Sequence, residues 1–226
     1  MKKRRKTVTL ITGIALSLLL LTGCSSSEQK QEAQELVEKY SDEFEAQARL
    51  QYGMRAKVRK IQVETGQSGS FGRRLTGNLL GVVSADGQEF EAIFLSEENI
   101  IHSKKNYESI CASMLNYFSD RLDAEIFAGE CGFMQGRRPF LPDNIKNYEQ
   151  LIMQFSTNAT ICTTEDISAF DEARFSAILN DLGGNVLSVH LLQVEKKVAN
   201  FDRSKAIHVM KIQYTTDGTI TVSLLK

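Results

Sequence analysis

Residues 79–95, LLGVVSADGQEFEAIFL, decide the fold of the first half of the chain. The dipeptide Asp86-Gly87 accepts the positive φ angles of a type I′ turn, and the residues that follow it alternate between apolar and polar side chains. Two apolar runs joined by such a turn predict an antiparallel β-hairpin with strands over residues 79–84 and 88–95.

Upstream of this hairpin, the sequence predicts an amphipathic helix and a further strand. Apolar residues recur at three- and four-residue steps from Ala33 to Ala48, and Gly53 follows at the position of a C-terminal cap. Residues 54–64 then alternate as in a strand, but the alternation slips at Arg59-Lys60. A slip of this kind indicates a β-bulge at that pair.

Downstream of the hairpin, residues 129–143 are predicted to be a linker. This segment holds both prolines of the chain, Pro139 and Pro142, and proline fixes φ and lacks a backbone donor. The linker separates a first unit over residues 35–128 from a second over residues 144–226. The remaining predicted elements are a helix from Tyr107 to Leu122, a strand over 124–128, a helix over 145–155, a strand over 159–163, a helix over 166–182, and strands over 186–194, 206–214 and 219–224.

Each half is predicted to be a helix beside a three-stranded antiparallel meander, which makes the fold α+β. An offset of 131 residues aligns Phe44 with Phe175 and Asp86-Gly87 with Asp217-Gly218. The strand after the turn is out of phase under this offset, and turns and caps also match by chance. An internal duplication is therefore one hypothesis, and chance similarity is the other.

Two arginine doublets, Arg73-Arg74 and Arg137-Arg138, lie in segments predicted to be loops. The first loop spans residues 65–77 and is rich in glycine, but it leads into a strand and not into a helix N-terminus, so it does not fit a phosphate-binding loop. The functional interpretation is that these arginines contact an anionic wall polymer or an acidic protein. The alternative is that they are solvated charges, which is the common state of loop residues.

The first 24 residues have the pattern of an export signal. Residues 2–6 are all basic, residues 8–21 form a run without charge that is too short to span a bilayer, and small or hydroxyl residues then lead to a cysteine. The sequence Leu21-Thr22-Gly23-Cys24 resembles the lipobox of bacterial lipoproteins. The alternatives are an uncleaved membrane anchor and an ordinary secretory signal that ends near a chance cysteine.

The resemblance implies that Cys24 is acylated on its thiol, that residues 1–23 are removed, and that residues 24–34 form the lipidated end and a polar tether. The protein would then be held at the cell membrane, on its extracytoplasmic side, because two acyl chains make a stable anchor. Removing five of the 27 basic residues leaves 22 against 28 acidic ones, so the mature chain has a net charge of −6. Such a charge disfavours nucleic acid as a partner.

The sequence contains no recognisable catalytic motif. Cys131 lies next to glycine and is predicted to be the most exposed of the remaining cysteines, whereas Cys111 and Cys162 are predicted to be buried. A thiol site would pair Cys131 with His190 or His208, but nothing in the spacing brings these residues together. No motif predicts a metal ion or a cofactor.

Two functions remain open at this point. The first is a non-catalytic binding or accessory module at the cell envelope, anchored to the membrane by its lipid, with an envelope protein or a wall polymer as its partner. The alternative is a lipid-anchored hydrolase that acts on cell-wall material with a thiol or a pair of carboxylates. The acidic residues that could form such a pair are Glu43, Glu45, Asp166, Asp171 and Glu172.

Overall fold

The computed structural model of the chain describes residues 27–68, 72–133, 140–181, 185–197, 202–215 and 219–225. It confirms the predicted α+β class and divides into two compact units, of which the first ends at Lys105 and the second begins at Asn106. The first unit contains α1 (Ser27–Tyr52), β1 (Lys57–Ser68), β2 (Gly72–Ala85), β3 (Gln88–Leu95) and β4 (Ile100–Ser103). The second contains α2 (Tyr107–Leu122), β5 (Ala128–Phe133), α3 (Tyr148–Gln154), β6 (Thr157–Thr163), α4 (Glu172–Asp181), β7 (Val186–Gln193), β8 (His208–Tyr214) and β9 (Ile220–Leu224).

The predicted hairpin is present at the centre of the first sheet. Strands β1 to β4 lie side by side in chain order, and each pairs antiparallel with the next. Ala85 pairs with Gln88 across the turn, where Asp86 and Gly87 have φ angles of 50° and 79°. A type I′ turn requires two positive φ angles, so this prediction is confirmed. The sequence does not predict β4, which has only four residues.

Helix α1 begins earlier than the sequence predicts. It starts at Ser27, so residues 27–34 are helical and the prediction of a polar tether over them is wrong. Glutamine and glutamate favour helices, and the amides of Gln31 and Gln34 donate to the carboxylates one turn later at 3.0 and 2.9 Å. The end of the helix is as predicted, because Gly53 has a φ of 98° and its N–H donates to the Arg49 carbonyl at 3.0 Å.

The core of the first unit lies between α1 and its sheet. Phe44 has no exposed surface and stacks on Phe94 of β3 with ring centroids 5.5 Å apart. Ala33 and Ala48, which the helical spacing places on the same face, are also buried. The apolar stripe of α1 therefore covers the sheet, as the sequence predicts.

The predicted β-bulge is present, but the glycine-rich loop after it is not a loop in the part that the structure describes. The register of β1 against β2 shifts between Arg59 and Gln62, and Lys60 has a φ of 54°. Beyond it, β1 continues to Ser68 and β2 begins at Gly72, so most of residues 65–77 form a strand pair. The prediction of a loop is wrong because antiparallel pairing satisfies the backbone here despite the glycines.

The second unit has a five-stranded sheet in the order β5-β6-β7-β8-β9. Strands β7, β8 and β9 form the predicted antiparallel meander, but β6 runs parallel to β7. The chain between them passes through α4, and a parallel pair needs such a crossover connection. The second unit is therefore a mixed sheet and not a helix beside a meander alone.

The boundary between the compact units lies upstream of the predicted linker at residues 129–143. Strand β5 pairs with β6 as far as Phe133, which lies inside the predicted linker. The structure thus has a strand over Ala128–Phe133, whereas the sequence predicts one over 124–128. Helix α2 packs on β5, α3 and α4, which places it in the second unit and not at the end of the first. Glycines in the sequence of β5 conceal this strand, because glycine is rare in strands.

The hypothesis of an internal duplication can be compared with the lengths of two connections between strands. The 131-residue offset places α1, β1, β2 and β3 near α4, β7, β8 and β9. However, two residues lie between the paired Ala85 and Gln88, whereas five lie between the paired Tyr214 and Ile220. The two connections therefore differ in length, which weighs against duplication. Asp217-Gly218 itself lies outside the described residues.

Candidate functional site

The first sheet carries a two-stranded extension, which we call the β1–β2 arm. It consists of residues 64–68 of β1 and 72–78 of β2. The pairing of β2 with β3 ends at Leu79 and Phe94, so the residues of β2 before Leu79 pair with β1 alone. The arm thus extends past the pairing of β2 with β3, while Leu75 still packs against the core of the first unit.

A cleft on the arm lies beside the first arginine doublet. Arg74 pairs with Gly66 across the two strands, and its side chain is exposed. Paired residues share a face, and Gly66 has no side chain there, so the methyl group of Thr76 lies over it, 3.3 Å from the position that a Cβ on Gly66 would take. The cleft has a volume of about 270 Å³ and is lined by Gly66, Arg74, Leu75 and Thr76.

A fixed carboxylate lies at the base of the arm. The hydroxyl of Thr76 lies 2.9 Å from one carboxylate oxygen of Glu64, and the side-chain amide of Asn78 donates to the same oxygen at 3.0 Å. These contacts hold Glu64 in place across the strand pair. The arm carries two positive charges, on Arg73 and Arg74, and one negative charge, on Glu64. Its net charge is therefore +1.

The geometry can accommodate an extended anion beside Arg74. A guanidinium group has five donors in a fixed plane and can bind a phosphate or carboxylate through two hydrogen bonds. The cleft is open to solvent along the arm, so it can accept part of a chain more readily than it can enclose a small molecule.

The structure describes only part of the predicted anion-contact set. Arg73 pairs with Gln67 in the arm. Arg137 and Arg138 lie outside the described residues, and so does the segment from Leu21 to Cys24. Their predicted roles stay predictions. In the part of the chain that is described, no helix is long and apolar enough to cross a membrane.

The structure overturns the prediction that Cys131 is exposed. Only 4% of its surface is accessible, and burial raises the pKa of its thiol far above the ordinary range. Cys162 is buried as predicted, whereas Cys111 is only half-buried. Glycine neighbours suggested a loop at Cys131, but they belong to β5.

The thiol pairs considered for catalysis do not assemble. Cys131 pairs with Ala159, which pairs with Val189, so these three side chains share one face of the sheet. His190 follows Val189 and therefore points to the opposite face. His208 lies on β8, which two strands separate from β5, at a distance of about 14 Å. Neither histidine can reach the thiol as a general base.

Three of the five acidic candidates have local structural partners. Asp166 accepts from the backbone N–H of Ser168 at 3.0 Å and from its hydroxyl at 2.7 Å, and these bonds lower the pKa of Asp166, which is unsuited to a general acid. Glu45 pairs with Arg49, and Asp171 accepts from the N–H of Ala173. Within the described ranges, no three His, Cys, Asp or Glu side chains are grouped so that they could hold a metal ion.

The sequence indicates the arginine doublet at Arg73-Arg74 but not the residues around it. Gly66 lies eight positions from its partner Arg74, and Glu64 lies twelve from Thr76, and only the strand register brings them together. The β-branched Thr65 and Thr76 were the available signal for strands in this segment.

A scan against protein-family models finds no match for the chain, and comparisons with curated proteins and with solved structures find none either.

Proposed function

We propose that the protein is a non-catalytic binding module, anchored by lipid at Cys24 to the extracytoplasmic side of the cell membrane, which contacts an anionic wall polymer or an acidic protein through the β1–β2 arm. The observation that carries the binding part is the exposed Arg74 beside an open cleft. The lipobox-like Leu21-Thr22-Gly23-Cys24 supports the anchor. Burial of Cys131 and its separation from both histidines disfavour a thiol hydrolase.

The position of α1 makes the proposal specific. The helix starts at Ser27, so the spacer after Cys24 has at most two residues of non-helical chain and reaches no more than about 11 Å. An acylated Cys24 would therefore keep the start of α1 close to the bilayer surface. The helix itself has 26 residues and a length of about 39 Å.

The anchor is tested by Cys24→Ala in the full chain. We expect the native protein in the membrane fraction, with an intact mass that begins at an acylated Cys24, and we expect the variant to lose membrane attachment or to retain residues 1–23. The physical reason is that the thiol of Cys24 is the acylation site in the proposed lipobox. Cys162→Ala is the matched control and should behave as the native chain. Equal fractionation and unlipidated mass for both proteins would contradict the anchor.

The arm is tested by Arg74→Ala, with Arg59→Ala as the matched control, because Arg59 is an exposed arginine of the same strand pair that lies outside the arm. Arg74→Ala should weaken binding of poly(glycerol phosphate) or polyglutamate by about three- to five-fold, the size of an exposed ion pair. Glu64→Gln should tighten binding, because it removes the opposing charge and keeps an acceptor for Thr76 and Asn78. Binding is measured at low and high salt by titration.

The two polymers separate the phosphate and the carboxylate partner classes. A loss confined to one polymer identifies the class that the arm recognises. If Arg74→Ala and Arg59→Ala bind both polymers as the native chain does, the arm is not the contact surface.

A further inference from the structure

Helix α2 lies along β5, which is an edge strand of the second sheet. The Tyr107 hydroxyl, in the first turn of α2, donates to the Cys131 carbonyl at 3.1 Å. Two turns later, Leu115 lies over Gly129, with its Cδ2 atom 3.0 Å from the position that a Cβ on Gly129 would take. These two contacts fix which side of α2 faces β5.

The same contacts fix the direction of two cysteine side chains. Gly129 and Cys131 are two residues apart in a strand, so their Cβ positions point to the same face. Because a Cβ on Gly129 would point at Leu115, the side chain of Cys131 also points toward α2. Cys111 is four residues from both Tyr107 and Leu115, so it lies between them on the same row of the helix.

The two cysteine side chains therefore lie on the facing surfaces of α2 and β5. Cys131 belongs to the apolar core of the second unit, and Cys111 packs against that core. Their proximity has an electrostatic consequence, since the charge of an ionised Cys111 further raises the pKa of Cys131.

The third cysteine is on the other side of the sheet. Cys162 pairs with Ala128, whereas Cys131 pairs with Ala159. Ala128 and Cys131 are an odd number of residues apart, so the thiols of Cys162 and Cys131 point to opposite faces. Cys162 accordingly packs in a separate apolar cluster with Leu192 and Ala206.

We propose that Cys111 and Cys131 are a redox pair that forms a disulfide across the contact between α2 and β5. The oxidant is an exchangeable disulfide, either that of a thiol-disulfide oxidoreductase or a small-molecule disulfide. The two cysteine thiols lose two electrons and two protons and form one S–S bond, and the disulfide of the oxidant is reduced to two thiols.

The difference in burial assigns an order to the two steps. Cys111 is half-buried and has access to solvent, so its thiolate attacks the oxidant and releases one thiol. Cys131 is shielded from the oxidant, and after losing its proton it attacks the Cys111 sulfur of the mixed disulfide, which releases the second thiol; because burial raises the pKa of Cys131, this second step is the slower one. Cys111 is thus the entry thiol and Cys131 the resolving thiol.

The test uses the reduced full chain carrying Cys24→Ala, so that Cys111, Cys131 and Cys162 are the remaining thiols. After incubation with oxidised glutathione, we expect the intact mass to fall by two hydrogen atoms and only Cys162 to be alkylated after unfolding. Peptide mapping should link the peptides of Cys111 and Cys131.

Two single variants make the result decisive. Cys131→Ala should stop at a mixed disulfide of glutathione on Cys111, whereas Cys162→Ala should form the same link as the parent chain. A glutathionyl group that persists on Cys111 while Cys131 is present would overturn the proposal. So would an unchanged mass, or a link that includes Cys162. None of these outcomes depends on the anchor or on the arm.

Discussion

Gly129→Ala is expected to lower the free energy of unfolding of the second unit by about 2–3 kcal/mol. A Cβ at this position would lie 2.5 Å from the carbonyl oxygen of Thr160 in β6, 3.0 Å from Leu115 in α2 and 3.3 Å from the Cα atom of Ile161. Two of these three neighbours are backbone atoms of the adjacent strand, which cannot rotate away. The strand pair or α2 must therefore shift, and packing on both sides of β5 is lost.

Gly132→Ala is the matched control in the same strand. The nearest atoms to its added Cβ would be 3.6 and 3.7 Å away, both in Asn158, which is ordinary van der Waals contact. We expect its free energy of unfolding to lie within about 0.5 kcal/mol of that of the native protein. Circular dichroism during urea unfolding gives both values, and hydrogen exchange at the amides of β5 and β6 assigns the change to the second unit. Equal midpoints for the two variants would show that β6 and α2 do not approach Gly129 so closely.

The features that the sequence predicts correctly depend on residues close together in the chain. Asp86-Gly87 specifies its own turn through two positive φ angles, and Gly53 ends α1 by the same property. The helical spacing from Ala33 to Ala48 identifies the buried face of α1 without knowledge of the sheet beneath it. Local conformation and periodicity are sufficient in each case.

The features that the sequence misses depend on distant partners. Gly129, Glu130 and Gly132 make the surroundings of Cys131 resemble a loop, yet at Gly129 the backbone of β6 and the Leu115 side chain of α2 leave no room for a Cβ. The parallel pairing of β6 with β7 likewise follows from the packing of the crossover helix and leaves no local signal.

The candidate site shows the same division. The charge of Arg73-Arg74 is visible in the sequence, but the strand register is what brings Gly66 and Arg74 together in the lining of the cleft. A segment predicted to be a loop has no strand register. The prediction over residues 65–77 therefore could not reveal the hydrogen bonds of Thr76 and Asn78 to Glu64. A charged residue such as Arg74 can thus be recognised in the sequence, whereas the neighbours that form the cleft beside it cannot.

Phe44→Ala is expected to lower the free energy of unfolding of the first unit by about 3–5 kcal/mol. Phe44 has no exposed surface, and its ring stacks on Phe94 at 5.5 Å with an angle of 15° between the planes. It also covers Gly81 of β2, where a Cβ would lie 3.0 Å from the Cε1 atom of Phe44. The ring therefore fills the space above two strands, and its removal leaves a cavity that neither strand can close.

Leu50→Ala in the same helix separates packing from helix propensity. Leu50 is 77% exposed and lies six residues after Phe44, so its truncation removes little buried surface. Alanine favours the helix at both positions, which means that propensity alone would stabilise both variants slightly. Urea unfolding should place Leu50→Ala within about 0.5 kcal/mol of the native protein, and Phe44→Ala far below it. A small loss for Phe44→Ala would mean that α1 forms without docking on the sheet, and the arm would then lack the rigid base that the proposed contact at Arg74 needs.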